Sequence, residues 1–279
     1  MSKLYLVGTP IGNLGDFSPR AIDTLRSVDF IAAEDTRVTL KLLNRFEINK
    51  PMISYYQHNL RERGEQIVTR ITAGESCALV TDAGMPAISD PGEDLVRLCA
   101  EAGVEIVSVP GPSAAVTALA MSGLNTSRFT FEGFLSTNKQ GRRAHLESLL
   151  NERRTMIFYE APHKLRTTLH DLTEAFGHER RIALCRELTK LHEEVIRTTL
   201  GEAVARYTAD GTGTGPRGEF VLVVEGAPDT PAQVITPEQA LALAQALMAK
   251  GESASAAARQ AAQQTGCKKS DIYRLLSRE

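Results

Sequence analysis

Along the first 110 or so residues, short apolar runs alternate with stretches in which apolar positions recur every third or fourth residue. The runs KLYLVG (3–8), DFIAAED (29–35), CALVTD (77–82) and VEIVSVPG (104–111) read as strands. Between them SPRAIDTLRSV (18–28) predicts a helix with Ser18 as N-cap and Pro19 at the first helical position. RGEQIVTRITAG (63–74) predicts a helix closed by Gly74, and PGEDLVRLCAEAG (91–103) predicts another. Such alternation with short links implies an α/β fold with a largely parallel sheet.

A second alternation starts near Arg128. RFTFEGFL, RTMIFYEA, RIALCREL, EEVIRTTL and EFVLVVEG read as strands, and QGRRAHLESLLNE and PHKLRTTLHDLTEAFG as helices. Four strand-like runs in the first half and five in the second, with no close sequence repeat, predict two sheets facing each other across a cleft. GLNTS (123–127) is the expected hinge, which puts the domains at 1–122 and 123–228. DTPAQVI (229–235) reads as a linker. Beyond it, at 236–279, three short helices are expected, the first two alanine-rich, capped by Thr236 or Ser253 and stopped by Gly251 and Gly266. Their spacing matches a helix-turn-helix whose last helix presents Lys268, Lys269, Arg274 and Arg278. Contact with nucleic acid is the favoured reading of this tail, a small dimerisation bundle the alternative.

Composition narrows the function classes. In 279 residues, 42% are hydrophobic and 24% charged, and the formal net charge is −2. That balance excludes a wholly basic nucleic-acid coat, so an anionic partner must be met by local patches. Cys77, Cys99, Cys185 and Cys267 are far apart without a CxxC pair and read as reduced core thiols, with no metal site expected. MSKLYLVGTPIG has too few apolar residues before its Gly and Pro for a signal peptide, and no run is long enough to span a bilayer. A cytoplasmic protein without membrane contact is expected.

Three predicted strands end in loops rich in Gly and Pro: GTPIGNLGD (8–16), DAGMPAISDPG (82–92) and PGPSAA (110–115). Each alone could be a plain turn. At one sheet edge they form a ligand site of the kind found beyond the carboxyl ends of parallel strands. The first loop misses the dinucleotide fingerprint, and no phosphate-binding GK[ST] is present. None of the three holds a Lys or Arg, while Asp16, Asp82 and Asp90 are there. Such a pocket suits a cationic or zwitterionic ligand, and S-adenosylmethionine fits. Asp82 and Asp90 could instead cap turns, which for Asp90, just before Pro91-Gly92, is the favoured reading.

VGTPIGNLGDFSPRA, AAEDTR, VTDAGMPAISDPG, VPGPSA, EGFL followed by GRR, FYEAPH and RELTK, in that order over nearly the whole chain, resemble one family. It is the S-adenosylmethionine-dependent tetrapyrrole methylase superfamily, in its ribosomal small-subunit RNA methyltransferase I branch. The resemblance implies two α/β domains with the cofactor in the cleft between them, commonly as a homodimer. It implies 2′-O-methylation of a cytidine in the P-site region of 16S rRNA. It places the cofactor against Pro10 and Ile11, against Asp82, Ala83, Gly84 and Met85, and against Ser113 and Ala114. The second domain is expected to contribute around Tyr159 and Arg186. Tetrapyrrole-specific members carry G-D-P in the second loop, where this chain has TDAG.

Methyl transfer to a ribose hydroxyl needs alignment above all, and a general base helps. Glu160 and Glu187 are the candidate bases, with Lys190 as a positioning or deprotonating alternative. Each reads equally well as half of a cleft ion pair. Glu34, Asp35 and Arg37 end a strand and could bind RNA or orient the base. STNKQGRRAH (136–145) carries Lys139, Arg142 and Arg143 and no acid, so it is either a phosphate clamp or a solvated face. With aromatics at 5% and no Trp, a stacking platform is not expected. The rival activities are methylation of a tetrapyrrole or a protein side chain, and a non-enzymatic role in ribosome assembly.

Overall fold

A computed structural model of the chain describes residues 2–56, 60–208, 215–228, 237–249, 252–265 and 269–276. The chain divides into two compact units, Met1–Gly226 and Ala227–Glu279. The larger unit begins with β1 (Lys3–Val7), α1 (Pro19–Ser27), β2 (Phe30–Ala33), α2 (Thr36–Arg45), β3 (Met52–Ser54), α3 (Leu60–Thr72), β4 (Cys77–Val80), α4 (Glu93–Glu101), β5 (Glu105–Val109) and α5 (Ala114–Ser122). Its five strands are all parallel, in the order β3-β2-β4-β1-β5. β4, β1 and β5 are therefore neighbours, and the three Gly/Pro loops that follow them share one edge.

The continuous apolar runs have a physical reason. Successive residues of β2 and β4 enter two different cores. Ile31, Ala33, Ala78 and Val80 pack with Phe17 and Leu25 on the α1 side. Phe30, Ala32, Cys77 and Leu79 pack with Ile67 and Leu95 on the side of α3 and α4. A strand covered on both faces does not alternate with polar residues. Ser18 caps α1 by accepting the Ala21 N–H at 3.1 Å, with Pro19 at the first turn, as expected. α2 and β3 were not assigned from the sequence. β3 has only three half-buried residues at the sheet edge, too few to show a period.

The second sheet is built from β6 (Phe129–Phe134), α6 (Lys139–Ser148), β7 (Thr155–Glu160), α7 (Leu165–Phe176), β8 (Arg181–Arg186), β9 (Glu194–Thr199), α8 (Leu200–Thr208) and β10 (Phe220–Val224). Its order is β6-β7-β10-β8-β9, with only β6 and β7 parallel. One face rests on α6, α7 and α8 through Leu146, Leu169 and Leu200. The other face is covered by α5, whose Ala115, Ala118 and Leu119 pack on Ile157, Ala183 and Val221. By chain order α5 belongs with the first sheet, yet by packing it belongs to the second. GLNTS, the expected hinge, is a turn held at two points. Gly123 closes α5 in the left-handed region, and the Asn125 carbonyl accepts the Thr155 hydroxyl at 2.6 Å.

In the smaller unit α9 (Pro237–Ala249), α10 (Ala254–Thr265) and α11 (Lys269–Leu276) pack around Ala240, Ala244, Ala257, Ala261 and Ile272. Ser253 caps α10, accepting the Ala256 N–H at 3.3 Å. Arg274 pairs with Asp271 at 3.3 Å. Lys269 opens α11. The expected linker 229–235, the cap Thr236, the stops Gly251 and Gly266, and Cys267, Lys268 and Arg278 lie outside the described residues.

Candidate functional site

The three loops are joined by backbone. Thr9 and Gly84 exchange N–H···O bonds of 2.9 and 3.2 Å, and the Thr9 hydroxyl donates to the Thr81 carbonyl at 3.2 Å. The Met85 sulfur accepts the Gly111 N–H at 3.3 Å. Gly8 and Gly111 meet main chain to main chain. A Cβ on Gly8 would lie 2.7 Å from Gly111 Cα, and a Cβ on Gly111 would lie 2.9 Å from the Gly8 carbonyl carbon. Only glycine permits that approach.

Against this floor lies a cavity of about 500 Å³. The first sheet's loops line it with Ile11, Ala83, Gly84, Met85, Ser113 and Ala114, and β7, β8 and the turn after β8 add Tyr159, Cys185 and Leu188. Tyr159 fixes the seam between the two halves. Its hydroxyl accepts the Ala115 N–H at 3.2 Å, and its ring meets Phe131 and Phe134 edge-on at 5.0 and 5.6 Å. Burial pushes the phenol pKa up, which keeps it neutral. Two lining residues, Ile88 and Leu188, each sit between non-glycine residues of positive φ: Ala87 (68°) with Ser89 (63°), and Glu187 (52°) with Thr189 (67°). Each such residue costs on the order of 1 kcal/mol, strain that tends to collect at functional sites.

Three expected contacts are not in the lining. Pro10 directly precedes the lining residue Ile11. Asp82 turns toward the β2 edge, where it accepts the Asp35 N–H at 3.1 Å. The Arg186 guanidinium donates to the Arg217 carbonyl at 2.7 Å, while its neighbours Cys185 and Leu188 face the cavity. Arg37 is exposed and held by Asp35 at 2.6 Å. The Glu34 carboxylate accepts the Thr81 hydroxyl at 2.7 Å.

A larger groove of about 940 Å³ runs between α6 and α7 and shares His163 with the cavity. Lys139, Arg142, Arg143 and Lys164 line it. The run itself holds no acid, but acids reach it from other turns and helices. Arg142 is 12% exposed, pairs with Asp171 of α7 and donates to the Thr168 hydroxyl at 2.7 Å. Arg143 is 83% exposed and pairs with Glu147 one turn on at 2.7 Å. No ion pair involves Lys139 among the described residues.

The candidate bases are engaged. Glu160 is 4% exposed, accepts the Ala161 N–H at 2.8 Å and takes the Thr168 hydroxyl on its other oxygen. Glu187 holds Lys190 at 2.8 Å and the Glu219 N–H at 2.9 Å. Burial works to raise the Glu187 pKa, but the Lys190 ammonium and that N–H together bring it below the ordinary carboxylate range. For Lys190 burial works downward, and the hydrogen bonds of Glu187 and Glu219 outweigh it and raise its pKa. A low carboxyl and a high ammonium are both poorly matched to proton abstraction near neutrality.

One residue was passed over in the sequence, and another was weighed there chiefly as a turn cap. His163 joins the cavity to the groove, and FYEAPH already placed it at a strand end. Asp90, for which a turn cap was the favoured reading, also lines the cavity. It is half-buried there, and Gly92 precedes α4 without a side-chain cap. Burial first, then Glu34 and Asp82, push its pKa up to about 6 against the Thr81 hydroxyl. The signal available was a carboxylate in a loop otherwise free of charge partners.

The cavity fits the cofactor that the resemblance implies. Its walls are largely apolar, its volume is that of a small-molecule site, and no Lys or Arg lines it among the described residues, while Asp90 does. The family described as Tetrapyrrole (Corrin/Porphyrin) Methylases matches residues 3–204. A protein of Synechocystis sp. named ribosomal RNA small subunit methyltransferase I is 49% identical over 99% of this chain and 97% of its own. One of the same name from Thermotoga maritima is 46% identical over 226 residues, 81% of this chain and 99% of its own. The solved uroporphyrin-III-C-methyltransferase of Thermus thermophilus shares the fold at TM-score 0.55 and 19% identity, over 81% of this chain and 94% of that one. The chain belongs to the tetrapyrrole methylase family and, within it, to the group of the ribosomal RNA small subunit methyltransferase I proteins.

Proposed function

We propose that the chain transfers a methyl group from S-adenosylmethionine to the ribose 2′-hydroxyl of a cytidine in the P-site region of small-subunit ribosomal RNA. The observation that carries this reading is the meeting, at His163, of two unlike spaces. Among the described residues, one is a cavity lined by no Lys or Arg and the other a groove lined by four such cations. When bound, S-adenosylmethionine supplies a methyl carbon made electrophilic by its sulfonium. The loops at 83–85 and 113–114, with Ile11 and Tyr159, would hold it against the backbone floor. Apolar walls exclude water and fix one approach line for the acceptor oxygen, and such alignment supplies a large part of the rate. Lys139, Arg143 and Lys164 hold phosphates without reading bases. The same name on relatives of high identity supports ribosomal RNA over a tetrapyrrole as the acceptor.

The test is nucleotide-resolution mapping of 2′-O-methylation in small-subunit rRNA from cells with and without the gene, beside transfer by the purified protein to isolated small subunits. One cytidine in the P-site region is expected to lose its methyl group. An unchanged map would overturn the reading. The homodimer belongs to the same proposal and is tested by sedimentation. The Thermotoga relative matches over a span as long as the larger unit, so that unit is expected to contain the chemistry and the helical tail to assist RNA binding.

A further inference from the structure

A ribose hydroxyl is a weak nucleophile, and its proton must leave as the new bond forms. Among the described residues six titratable side chains line the cavity: Asp90, Tyr159, Glu160, His163, Cys185 and Glu219. Five of them are already engaged. Asp90 belongs to the fit of a cationic cofactor given above. Glu160 is saturated by the Ala161 N–H at 2.8 Å and by the Thr168 hydroxyl, and Glu219 holds Lys190 at 2.6 Å. Burial pushes up the Tyr159 phenol, whose oxygen takes the Ala115 N–H, and it pushes the Cys185 thiol up to about 11. Both groups therefore keep their protons near neutrality. The His163 imidazole makes no hydrogen bond or ion pair among the described residues. It is also the one residue, among those described, that lines both the cavity and the groove.

The chain presents this side chain on a braced turn. Pro162, His163 and Lys164 form a single helical turn between β7 and α7, with Pro162 at its first position. The Lys164 N–H donates back to the Ala161 carbonyl at 3.0 Å. Buried Glu160 joins the two ends of the turn, with one oxygen on the Ala161 N–H and the other on Thr168 of α7. Leu165 is fully buried in the core of the second sheet, and His163 is exposed between these anchors. We propose that His163 is the proton acceptor of the methyl transfer; the inference rests on the rRNA-methylation reading above. A nucleotide whose phosphates lie in the groove and whose ribose reaches the cavity must pass His163. The ribose oxygen uses a lone pair to form the bond to the methyl carbon, and the carbon–sulfur bond breaks with its pair going to sulfur. The hydroxyl proton passes to the unprotonated ring nitrogen of His163, and the imidazolium returns it to solvent through the groove. The products are the methyl ether, a neutral thioether and one proton. Imidazole suits the task because it ordinarily titrates close to neutrality. Glu160 then acts as a positioning residue: its saturation fixes the turn that carries His163.

The experiment is single-turnover methylation of isolated small ribosomal subunits that lack the methyl group, by the full-length protein at saturating cofactor and subunits. Calorimetry with S-adenosylmethionine and filter binding of subunits run on the same preparations. His163→Ala is expected to lower the saturated rate constant by on the order of a hundredfold, with both affinities changed by less than about threefold. Imidazole added to the buffer should speed the Ala variant by about tenfold or more and leave the wild type unaffected, with substituted imidazoles ranked by their basicity. His163→Gln keeps a hydrogen-bonding side chain of similar size but cannot take the proton, and it should be as slow as the unrescued Ala variant. A normal saturated rate in His163→Ala, full recovery in His163→Gln, or a deficit that no imidazole relieves would overturn the proposal while leaving rRNA methylation standing. So would an Ala variant whose loss lies wholly in subunit affinity, since His163 would then only seat the nucleotide. A wild-type protein that methylates no ribosomal RNA would overturn the reading and the proposal together.

Discussion

The two spaces that meet at His163 differ in how they are made. The 500 Å³ cavity is bounded largely by main chain, small residues and apolar side chains, with His163 and a few carboxylates among them, and its shape is set by loops bonded to one another. The 940 Å³ groove is bounded by long charged side chains on two helices, and its shape follows their rotamers. A small ligand of one shape needs the first kind of wall, because a rigid site loses little entropy on binding. A long polyanion needs the second, because its phosphates are held by charge and tolerate adjustment.

The strongest way to break this comparison is at the cavity floor. Gly111→Val puts side-chain carbons into the Gly8 backbone and is expected to weaken cofactor binding by on the order of a hundredfold or more, with RNA affinity nearly unchanged. Calorimetry and filter binding on the same preparation measure both. At the groove, Lys139, Arg143 and Lys164 can be replaced together by Ala. The salt dependence of RNA binding should flatten by roughly one log-log unit for each phosphate no longer held, with cofactor affinity unchanged. An unaltered slope would make the groove an ordinary solvated face.

Arg142 sharpens the contrast, because it lines the groove yet is tied to Asp171 and Thr168. Arg142→Ala should cost about 2 kcal/mol of stability in denaturant titration and leave the salt slope close to wild type. Asp90→Asn should act in the opposite sense on stability. Its folded pKa of about 6 lies above the ordinary carboxyl value, so the folded state binds that proton more tightly. Ionised Asp90 therefore destabilises, and the Asn variant gains about 1 kcal/mol above pH 6, after discount for partial exposure. The gain shrinks as pH falls through 6 and is gone below about 4, which thermal melts across pH can follow. The smallest effect is expected from removal of residues 236–279: unchanged cofactor affinity and a fall in RNA methylation efficiency of less than about tenfold. A truncated protein of full efficiency would show that the tail is no RNA anchor.

The sequence disclosed the fold through continuous apolar runs, and these came from strands covered on both faces. It disclosed the cavity floor because Gly and Pro mark backbone shape at fixed positions. It could not disclose pairing at a distance. Arg142 and Asp171 are 29 residues apart, and nothing local shows that α7 supplies the counter-ion. Asp90 shows the opposite limit: its neighbours Pro91 and Gly92 signal a turn, whereas its raised pKa comes from burial first and then from Glu34 at the end of another strand. α5 escaped notice because it is apolar nearly all round, buried between parts of the chain that lie on both sides of it in sequence.

The close approach of Gly8 and Gly111 limits which sequences this family member can drift to. In a packed core, a methyl gained at one position can be accommodated by a methyl removed at its neighbour. Here each added carbon would meet backbone, and every amino acid has the same backbone, so no second substitution restores the space. Positions 8 and 111 are closed to neutral exchange singly and as a pair. Random mutagenesis selected for cofactor binding should return them unchanged while the residues lining the groove vary.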